Sequence, residues 1–410
     1  MSHDHRDLIE QFREALTQQR YNPVAVHNYC RNADYFLHYL AERKIALEAA
    51  TPTEVSNYLR LAVRQFRKRH GRAPARYWVS IPRAGIHGLL MLSLKRWPPE
   101  PATSDAGELL CREVCNQYQT WLREERGLAA ASIDALMWEA RYFCAWYIGR
   151  SDTPSFMALG IRDVDSYFEM RAPGLRRKSL KDVAERLRSL MRHLHRTGRT
   201  AADLTPQIIA PMLYAYESIP STLSLEQIAT VLKSARKDQS PMGLRDYAIL
   251  QLLSIYGLRA GEITHLRLED IDWRAETLHI RHSKTGAHSL LPLMEPAGEA
   301  LISYLQHGRP KTDAREIFIR SRAPYRRMVR IYSEVLRRME TAGVRPSGKR
   351  GPHIFRHARA VSLLRASVPR KVIGDVLGHR STEATIPYLK LATEDLRAIA
   401  LEIPGQGVRS

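Results

Sequence analysis

The chain has 410 residues, of which 44% are hydrophobic and 26% are charged. This composition excludes a mainly disordered chain, and the length exceeds one ordinary hydrophobic core, so we expect two or three domains of roughly 100 to 200 residues each. Lysine and arginine number 63 against 43 aspartate and glutamate, a formal net charge of +20. A surplus of positive charge spread along the chain attracts polyanions, so nucleic acid is the leading candidate partner; a basic protein with solvated charged faces is the alternative.

The cysteines and the N-terminus bear on the compartment of the protein. The four cysteines form no Cys-x-x-Cys pair, and no His or Cys cluster follows them at zinc spacing. We therefore expect buried thiols in a reducing compartment. The sequence contains no run of ~18 apolar residues, so it predicts no membrane span. No apolar run follows the charged N-terminus. The sequence thus predicts a cytoplasmic protein without membrane contact.

Residues 8 to about 200 predict a mostly helical structure, because apolar and aromatic side chains recur at three- and four-residue spacing. A weak internal repeat lies within this half. Residues 33–40 resemble residues 140–147, and residues 54–59 resemble residues 163–168, in the same order. The repeat predicts two related helical domains; chance similarity between amphipathic helices is the alternative.

Proline-rich segments predict the domain boundaries. Three prolines within residues 98–101 preclude a helix there, which gives the first boundary. The second falls between Pro206 and Ser224, where Ser224-Leu225-Glu226-Gln227 begins a new helix in capping-box form. The predicted domains are residues 1–97, 106–203 and 222–410.

From about residue 225 the pattern changes to helices with one β-hairpin. Residues 277–281 and 289–293 alternate like strands and flank a polar turn that contains glycine. We expect a mainly α fold with a small β-hairpin or sheet in the last domain, an α+β arrangement. The predicted helices span 225–236, 244–257, 260–268, 296–306, 327–342, 354–366, 369–377 and 391–401.

Six separated residues in this last part carry groups suited to phosphodiester chemistry: Arg259, Lys284, His353, Arg356, His379 and Tyr388. A tyrosine is a credible nucleophile in a basic pocket, and two arginines can each fork onto phosphate oxygens. A lysine can give a proton to the leaving oxygen, and imidazoles can hydrogen-bond the phosphate. Each residue alone is more typical of a surface or a turn, so the hypothesis depends on their joint occurrence.

His353 and His357 stand four residues apart on a predicted helix. This spacing is typical of two of the ligands of a metal site. No glutamate or third ligand completes it, so the sequence predicts no metal.

These residues lie in the motifs Leu-Arg259-Ala-Gly-Glu262, Ser-Lys284-Thr-Gly, His353-Ile-Phe-Arg356, Leu-Gly-His379 and Tyr388. Together, the motifs make residues 225–400 resemble the catalytic domain of the tyrosine recombinase family, the phage-integrase-like site-specific recombinases. The resemblance implies that Arg259 and Arg356 bind phosphate, with His353 in the His-x-x-Arg pair. Lys284 would be the general acid on the hairpin, His379 the second histidine and Tyr388 the nucleophile. Glu262 resembles an acidic residue that braces this region. Pro387 departs from the family, which more often has an aliphatic residue there, and it favours a loop or helix start at Tyr388.

The resemblance also implies an activity. Such an enzyme cleaves DNA through a 3′-phosphotyrosyl link and rejoins it without ATP, metal or cofactor, to integrate, excise or transpose a mobile element. It would act on double-stranded DNA as a homotetramer on paired sites, with partner recombinases as a possibility. Residues 391–403 would pack on a neighbouring subunit or on their own chain. A type IB-like topoisomerase and a non-catalytic DNA-binding regulator are the alternatives.

Residues 106–203 resemble the helical core-binding domain of the same family, which closes with the catalytic domain around the duplex. The expected phosphate contacts in this part are Arg176, Arg177, Lys178, Arg186, Arg188, Arg192 and Arg196. Residues 1–97 would be an extra DNA-binding or protein-contact domain, with a basic strip of Arg64, Arg67, Lys68, Arg69 and Arg72. A solvated helix face is the alternative for both sets. His279, His282 and His288 are expected to face solvent or DNA.

Overall fold

The computed structural model describes residues 2–378 apart from 76, 95, 101–102, 151–153, 215–220, 283–285, 347 and 349. In this part the chain is mostly helical with a small antiparallel sheet, as predicted. The helices are α1 (Ser2–Gln18), α2 (Pro23–Glu42), α3 (Pro52–His70), α4 (Ser80–Ser93), α5 (Ala106–Glu124), α6 (Ala130–Ile148), α7 (Ile161–Arg171), α8 (Arg177–Arg196), α9 (Leu225–Arg236), α10 (Pro241–Tyr256), α11 (Ala260–His265), α12 (Glu295–Ser303), α13 (Tyr332–Thr341), α14 (Pro352–Arg365) and α15 (Arg370–Leu377). The strands are β1 (Ile271–Asp272), β2 (Thr277–Arg281) and β3 (His288–Pro292).

The described residues form two compact units. One unit combines residues 1–99 with the described residues from 221 onward, and the other lies within Glu100–Ser218. The predicted division into three domains stays a prediction.

Over the described residues, none of the helices combines the length and the apolarity that a membrane crossing requires. The four cysteines are free thiols, and three of them are buried.

The first bundle, α1–α4, is built on aromatic side chains that face inward. The ring of Tyr58 on α3 meets that of Phe36 at 5.5 Å and 73°, and that of Tyr39 at 5.4 Å and 67°. Edge-to-face pairs of this kind add to the free energy gained from apolar burial. α3 begins in a capping box formed by Thr51 and Glu54. The rings therefore fix the packing of α3 on α2, and the capping box fixes where α3 begins.

The second bundle, α5–α8, repeats this arrangement ring for ring. Tyr167 on α7 meets Phe143 at 5.0 Å and 78°, and Trp146 at 5.2 Å and 66°. α7 also begins with a carboxylate, that of Asp163, which accepts a hydrogen bond from the Gly160 backbone. The repeated geometry supports the interpretation that the two helical segments are related.

His193 lies on α8 in the core of the second bundle, where it is only 2% exposed. Its ring is 5.3 Å from that of Tyr118 and 5.4 Å from that of Trp121. Burial, with smaller contributions from the positive charges of Arg196 and Arg199, lowers the pKa of His193 to about 4. The folded bundle therefore holds a neutral imidazole at neutral pH.

The second bundle should lose stability as the pH falls from 6.5, the ordinary histidine pKa, to about 4. In this window the unfolded chain protonates His193 and the folded chain does not, so acidification favours unfolding. The difference corresponds to about 3 kcal/mol. His193→Phe keeps the ring packing and removes the titration. Urea unfolding followed by tryptophan fluorescence should then depend less steeply on pH than in wild type, and equal pH dependence would contradict this account.

The last part of the chain packs α9–α14 and the sheet around one apolar core, and α15 packs on α14 in a smaller cluster of Ala360, Ile373 and Leu377. A buried carboxylate, that of Asp246 on α10, ties this core to α13. It accepts hydrogen bonds from Arg245 at 2.8 Å, from Arg337 at 2.6 Å and from Arg338 at 2.9 Å. Asp246 is 1% exposed and Arg338 is 8% exposed, so these charges depend on one another for solvation.

Asp246→Ala should lower the free energy of unfolding of this part by about 3–5 kcal/mol, because it leaves the buried Arg245 without a carboxylate and leaves Arg338 with only the partly exposed Asp238. Hydrogen exchange of peptides from α10 and α13 measures the loss. Asp238→Ala is the matched control, because Asp238 also binds Arg338, at 2.7 Å, but its side chain is 37% exposed. We expect a loss of about 1 kcal/mol or less for this exposed partner. Similar exchange in both variants would show that the buried network does not hold α10 and α13 together.

The sheet has the order β1-β2-β3, with both pairs antiparallel. Leu278 pairs with Leu291 and Ile280 with Ser289, so Leu278 and Ile280 point into the core. The predicted hairpin is confirmed, and β1 is an additional strand. The helix predicted at 327–342 begins only at Tyr332, because Met328 donates its backbone N–H to Phe318 in extended pairing. The helix predicted at 391–401 lies outside the described residues.

Candidate active site

Arg259 and Glu262 form the first part of the site, at the start of α11. The Arg259 backbone N–H donates to one oxygen of the Glu262 carboxylate at 2.7 Å, and its guanidinium Nη1 donates to the other oxygen, also at 2.7 Å. This capping arrangement satisfies an N–H group that the helix start leaves unpaired. Glu262 is 3% exposed, whereas the Arg259 side chain is 20% exposed. The carboxylate thus holds a partly accessible guanidinium in a fixed position.

Glu262 also binds the hairpin, through His282. The His282 Nδ1 lies 2.8 Å from the Glu262 carboxylate, and its Nε2 lies 2.8 Å from the Ser289 hydroxyl on β3. Burial raises the pKa of Glu262, but hydrogen bonds from His282 and Arg259 outweigh burial and hold this pKa below its ordinary value. Glu262 is therefore ionised at neutral pH, and Nδ1 of His282 is the donor to it.

Two guanidinium groups meet at the C-terminal end of α15. Arg259 Nη2 donates to the Gly378 carbonyl at 3.0 Å, and Arg356 on α14 donates to the preceding carbonyl, that of Leu377. Arg356 Nη1 also donates to the Gly257 carbonyl at 2.9 Å. The last carbonyls of a helix lack partners within it and carry its partial negative charge, which favours cations there. Two of the predicted phosphate-binding residues are thus brought together on consecutive carbonyls.

Gly378 ends α15 and has a backbone conformation that requires glycine. Its φ is +61°, in the left-handed region, and a Cβ at this position would lie 2.4 Å from two atoms of the His282 ring. Only a glycine lets the turn approach the hairpin this closely. The turn that leads into His379 is therefore packed directly on the residue that binds Glu262.

His353 lies at the start of α14, where it is exposed, and Arg356 lies one turn later, where it is buried. The rings of His353 and His357 are 5.7 Å apart at 20°, on the same side of α14. The helix start is fixed by Gly351, whose φ is +106° and where a Cβ would lie 2.5 Å from the ring of Tyr332. The His-x-x-Arg pair is thus placed on a well-anchored helix.

Three of the six candidates, Lys284, His379 and Tyr388, lie outside the described residues. In the sequence, Lys284 stands between β2 and β3, and His379 directly follows Gly378. Residues 391–403 also lie outside the described part. The roles of all six residues stay predictions.

The residues predicted to bind DNA in the second bundle lie on or next to α8. Arg176, Arg177, Lys178 and Arg192 are exposed, and the Arg177 guanidinium is 5.7 Å from the Tyr214 ring. Arg188 is instead half-buried and donates to the Ile208 carbonyl at 2.7 Å. Their role in DNA binding stays a prediction.

The expectation that His282 faces solvent or DNA is wrong, because His282 is 1% exposed. His288 on β3 is exposed, as expected. The signal for His282 is present in the sequence. Leu278 and Ile280 are the inward residues of β2, and the same two-residue alternation continues to His282.

Comparison with known proteins gives the family of the chain. The family described as "Phage integrase family" matches residues 221–395. The protein named "Putative integrase/recombinase y4gC" of Sinorhizobium fredii is 66% identical over 190 residues, which are 46% of this chain and 99% of that protein. Tyrosine recombinase XerD of Vibrio cholerae serotype O1 is 28% identical over 291 residues, 70% of this chain and 94% of XerD. The solved structure of the site-specific recombinase XerH bound to its difH substrate has a TM-score of 0.56 at 16% identity, over 73% of this chain and 90% of XerH.

His282→Phe should loosen the site, because it leaves the buried carboxylate of Glu262 with one donor fewer. We expect a loss of about 1–3 kcal/mol in local stability, measured as faster hydrogen exchange in β2, β3 and α15. His288→Phe, an exposed position of the same hairpin, is the control and should change stability by less than about 0.5 kcal/mol. Equal exchange in the two variants would mean that His282 does not brace the site.

Proposed function

Since the chain belongs to the phage integrase family, the tyrosine recombinases, which are DNA strand-transferring enzymes, we propose that its own strand transfer is performed by the six residues Arg259, Lys284, His353, Arg356, His379 and Tyr388. The observation that carries this proposal is the convergence of Arg259 and Arg356 on the turn before His379. Two guanidinium groups held at one turn form a positively charged surface for a single phosphate.

The two arginines hold the scissile phosphate. A guanidinium has five N–H donors, and the Glu262 and Gly378 contacts orient the Arg259 group without using all of them. Positive charge at the non-bridging oxygens stabilises the charge that develops in the transition state. Arg356 is buried, so its charge acts in a medium of low dielectric constant, where it is more effective than in water.

The covalent step has Tyr388 as the nucleophile. Its phenolic oxygen bonds to phosphorus, and the bond from phosphorus to the 5′ oxygen breaks, which leaves a 3′-phosphotyrosyl link. Lys284 gives its proton to the departing 5′ oxygen, while His353 and His379 hydrogen-bond the phosphate or move the phenol proton. Attack by the 5′ hydroxyl of a partner strand reverses the step and rejoins the DNA. Neither ATP, metal nor cofactor enters this balance.

The substrate of the proposal is double-stranded DNA. Of the three proposed domains, residues 106–203 and 222–410 hold it, and residues 1–97 are the extra domain. XerH, whose fold the chain shares, was solved on its difH substrate. The exposed cations Arg176, Arg177, Lys178 and Arg192 suit phosphate contact, and Arg188 would contribute through its remaining donors. A homotetramer on paired sites, with or without partner recombinases, is the assembly that strand exchange between two duplexes requires. The bacterial cytoplasm is the proposed compartment, because the named relatives are bacterial.

Integration, excision or transposition of a mobile element is the proposed biological role. A topoisomerase of the same chemistry would reseal the strand it cut, and a regulator would bind without cutting. The intact set of six candidate residues supports the catalytic hypotheses over the regulator.

Tyr388→Phe should abolish covalent capture of DNA. On a nicked suicide duplex, wild type should form an adduct that survives denaturant and disappears after protease treatment, whereas the variant should form none. Arg259→Ala should keep the nucleophile but lower the rate of adduct formation roughly 10²-fold or more. Denaturing gels of labelled duplex give both results.

An adduct that persists in Tyr388→Phe would refute the nucleophile assignment. Cleavage near the wild-type rate in Arg259→Ala would refute the phosphate contact. Plasmid relaxation by dilute protein, without recombinants for any pairing of sites, would favour the topoisomerase.

A further inference from the structure

Four cations form a ridge on the outer face of α3: Arg60, Arg64, Arg67 and Lys68, called here the basic ridge. The last three stand four, seven and eight residues after Arg60, so all four lie on one side of the helix. The opposite side carries the buried residues Val55, Tyr58 and Leu59. All four ridge residues are exposed. The ridge is about 12 Å long at the rise of 1.5 Å per residue.

The sequence around the basic ridge is poor in acidic residues. Residues 55–97 contain ten lysines and arginines and no aspartate or glutamate. Among the described residues, none of the four ridge cations forms an ion pair with a carboxylate. Like charges three or four residues apart destabilise a helix, by about 0.2–0.5 kcal/mol per pair. The helix dipole offsets this only in the last turn, which contains Arg67 and Lys68 but not Arg60 or Arg64.

The second bundle uses its cations differently. Residues 1–97 and residues 106–203 each contain sixteen lysines and arginines, but the first segment has eight acidic residues and the second has thirteen. On α8, three of the five arginines are paired within the bundle: Arg186 with Glu139 at 3.6 Å, Arg188 with Glu185 at 3.2 Å and Arg196 with Glu125 at 2.9 Å. Two bundles with the same aromatic core thus differ in where positive charge remains available.

The first bundle contacts the last part of the chain just after α1, where Arg20 donates to the Lys311 carbonyl at 2.7 Å. The four ridge residues on α3 are exposed. An unfavourable row of unpaired cations on an open face is relieved when a polyanion lies along it.

We infer that the basic ridge is a second DNA-binding surface, which contacts phosphates of duplex DNA flanking the segment held by the rest of the chain. This inference rests on the proposed function. A ridge of this length faces about three phosphates of one strand, at 3.4 Å of helix axis each. Cations along a helix neutralise backbone charge without reading base edges, so the surface adds affinity that is independent of sequence.

The test compares full-length proteins in the Tyr388→Phe background, so that binding is measured without cleavage. The ridge variant carries Arg64→Gln, Arg67→Gln and Lys68→Gln. The matched control carries Arg6→Gln, Arg13→Gln and Lys44→Gln, which removes the same charge from exposed positions of the same bundle. A third protein, Arg64→Lys with Arg67→Lys, keeps the charge. Fluorescence anisotropy on labelled duplexes of about 20 and about 60 base pairs gives the dependence of affinity on salt.

On the long duplex, the slope of log affinity against log salt should become shallower by about 2–3 in the ridge variant and stay unchanged in the other two proteins. On the short duplex, which the rest of the chain fills, all slopes should agree. Circular dichroism should show the same helix content throughout, because the ridge side chains are exposed.

Equal slopes for the ridge variant and wild type on the long duplex would overturn the inference. So would an equal decrease in the matched control, which would assign the effect to net charge. If the salt slopes on DNA are the same for all proteins, but only the ridge variant is no longer retained on immobilised polyglutamate, the surface binds an acidic protein instead. Because no cleavage is measured, a failure of the proposed catalytic function leaves these outcomes readable.

Discussion

The buried charge of Glu262 is the constraint on which the site depends. A carboxylate withdrawn from water must be paired, and here its partners are Arg259 and His282. Arg259 directly precedes α11 and His282 directly follows β2, so a single charge sets the position of both elements, although Glu262 and His282 are 20 residues apart in sequence. The low pKa of Glu262 follows from the same contacts and keeps the charge in place at neutral pH.

The turn at Leu377 and Gly378 extends this constraint to a third element. Its two carbonyls accept hydrogen bonds from Arg356 and Arg259, and its glycine packs on the ring of His282. A displacement of any one partner moves the others, because they share atoms in the same network. These shared contacts fix the relative positions of the Arg259 and Arg356 side chains, the two proposed phosphate ligands.

Local signals in the sequence predicted much of this architecture. The capping box at Ser224 and the hairpin strands were recognisable from composition and alternation, and the observed strands differ from the predicted ones by at most one residue. Long-range pairing was not recognisable. Residues 327–331 have a helical pattern, but Met328 pairs with Phe318 as extended chain. Arg188 looked like a free cation because its acceptor, the Ile208 carbonyl, lies 20 residues further along the chain.

The two bundles show how one core supports two surfaces. In the second bundle, Glu139 is 1% exposed and draws Tyr167, Arg171 and Arg186 inward. The aligned position in the first bundle is Asn32, which carries no charge and whose side chain donates to the Asn28 carbonyl at 2.7 Å. Because ring packing fixes the backbone in both copies, the exchange of one buried carboxylate for an amide leaves the fold intact. It changes which arginines are neutralised inside the protein and which remain for a partner.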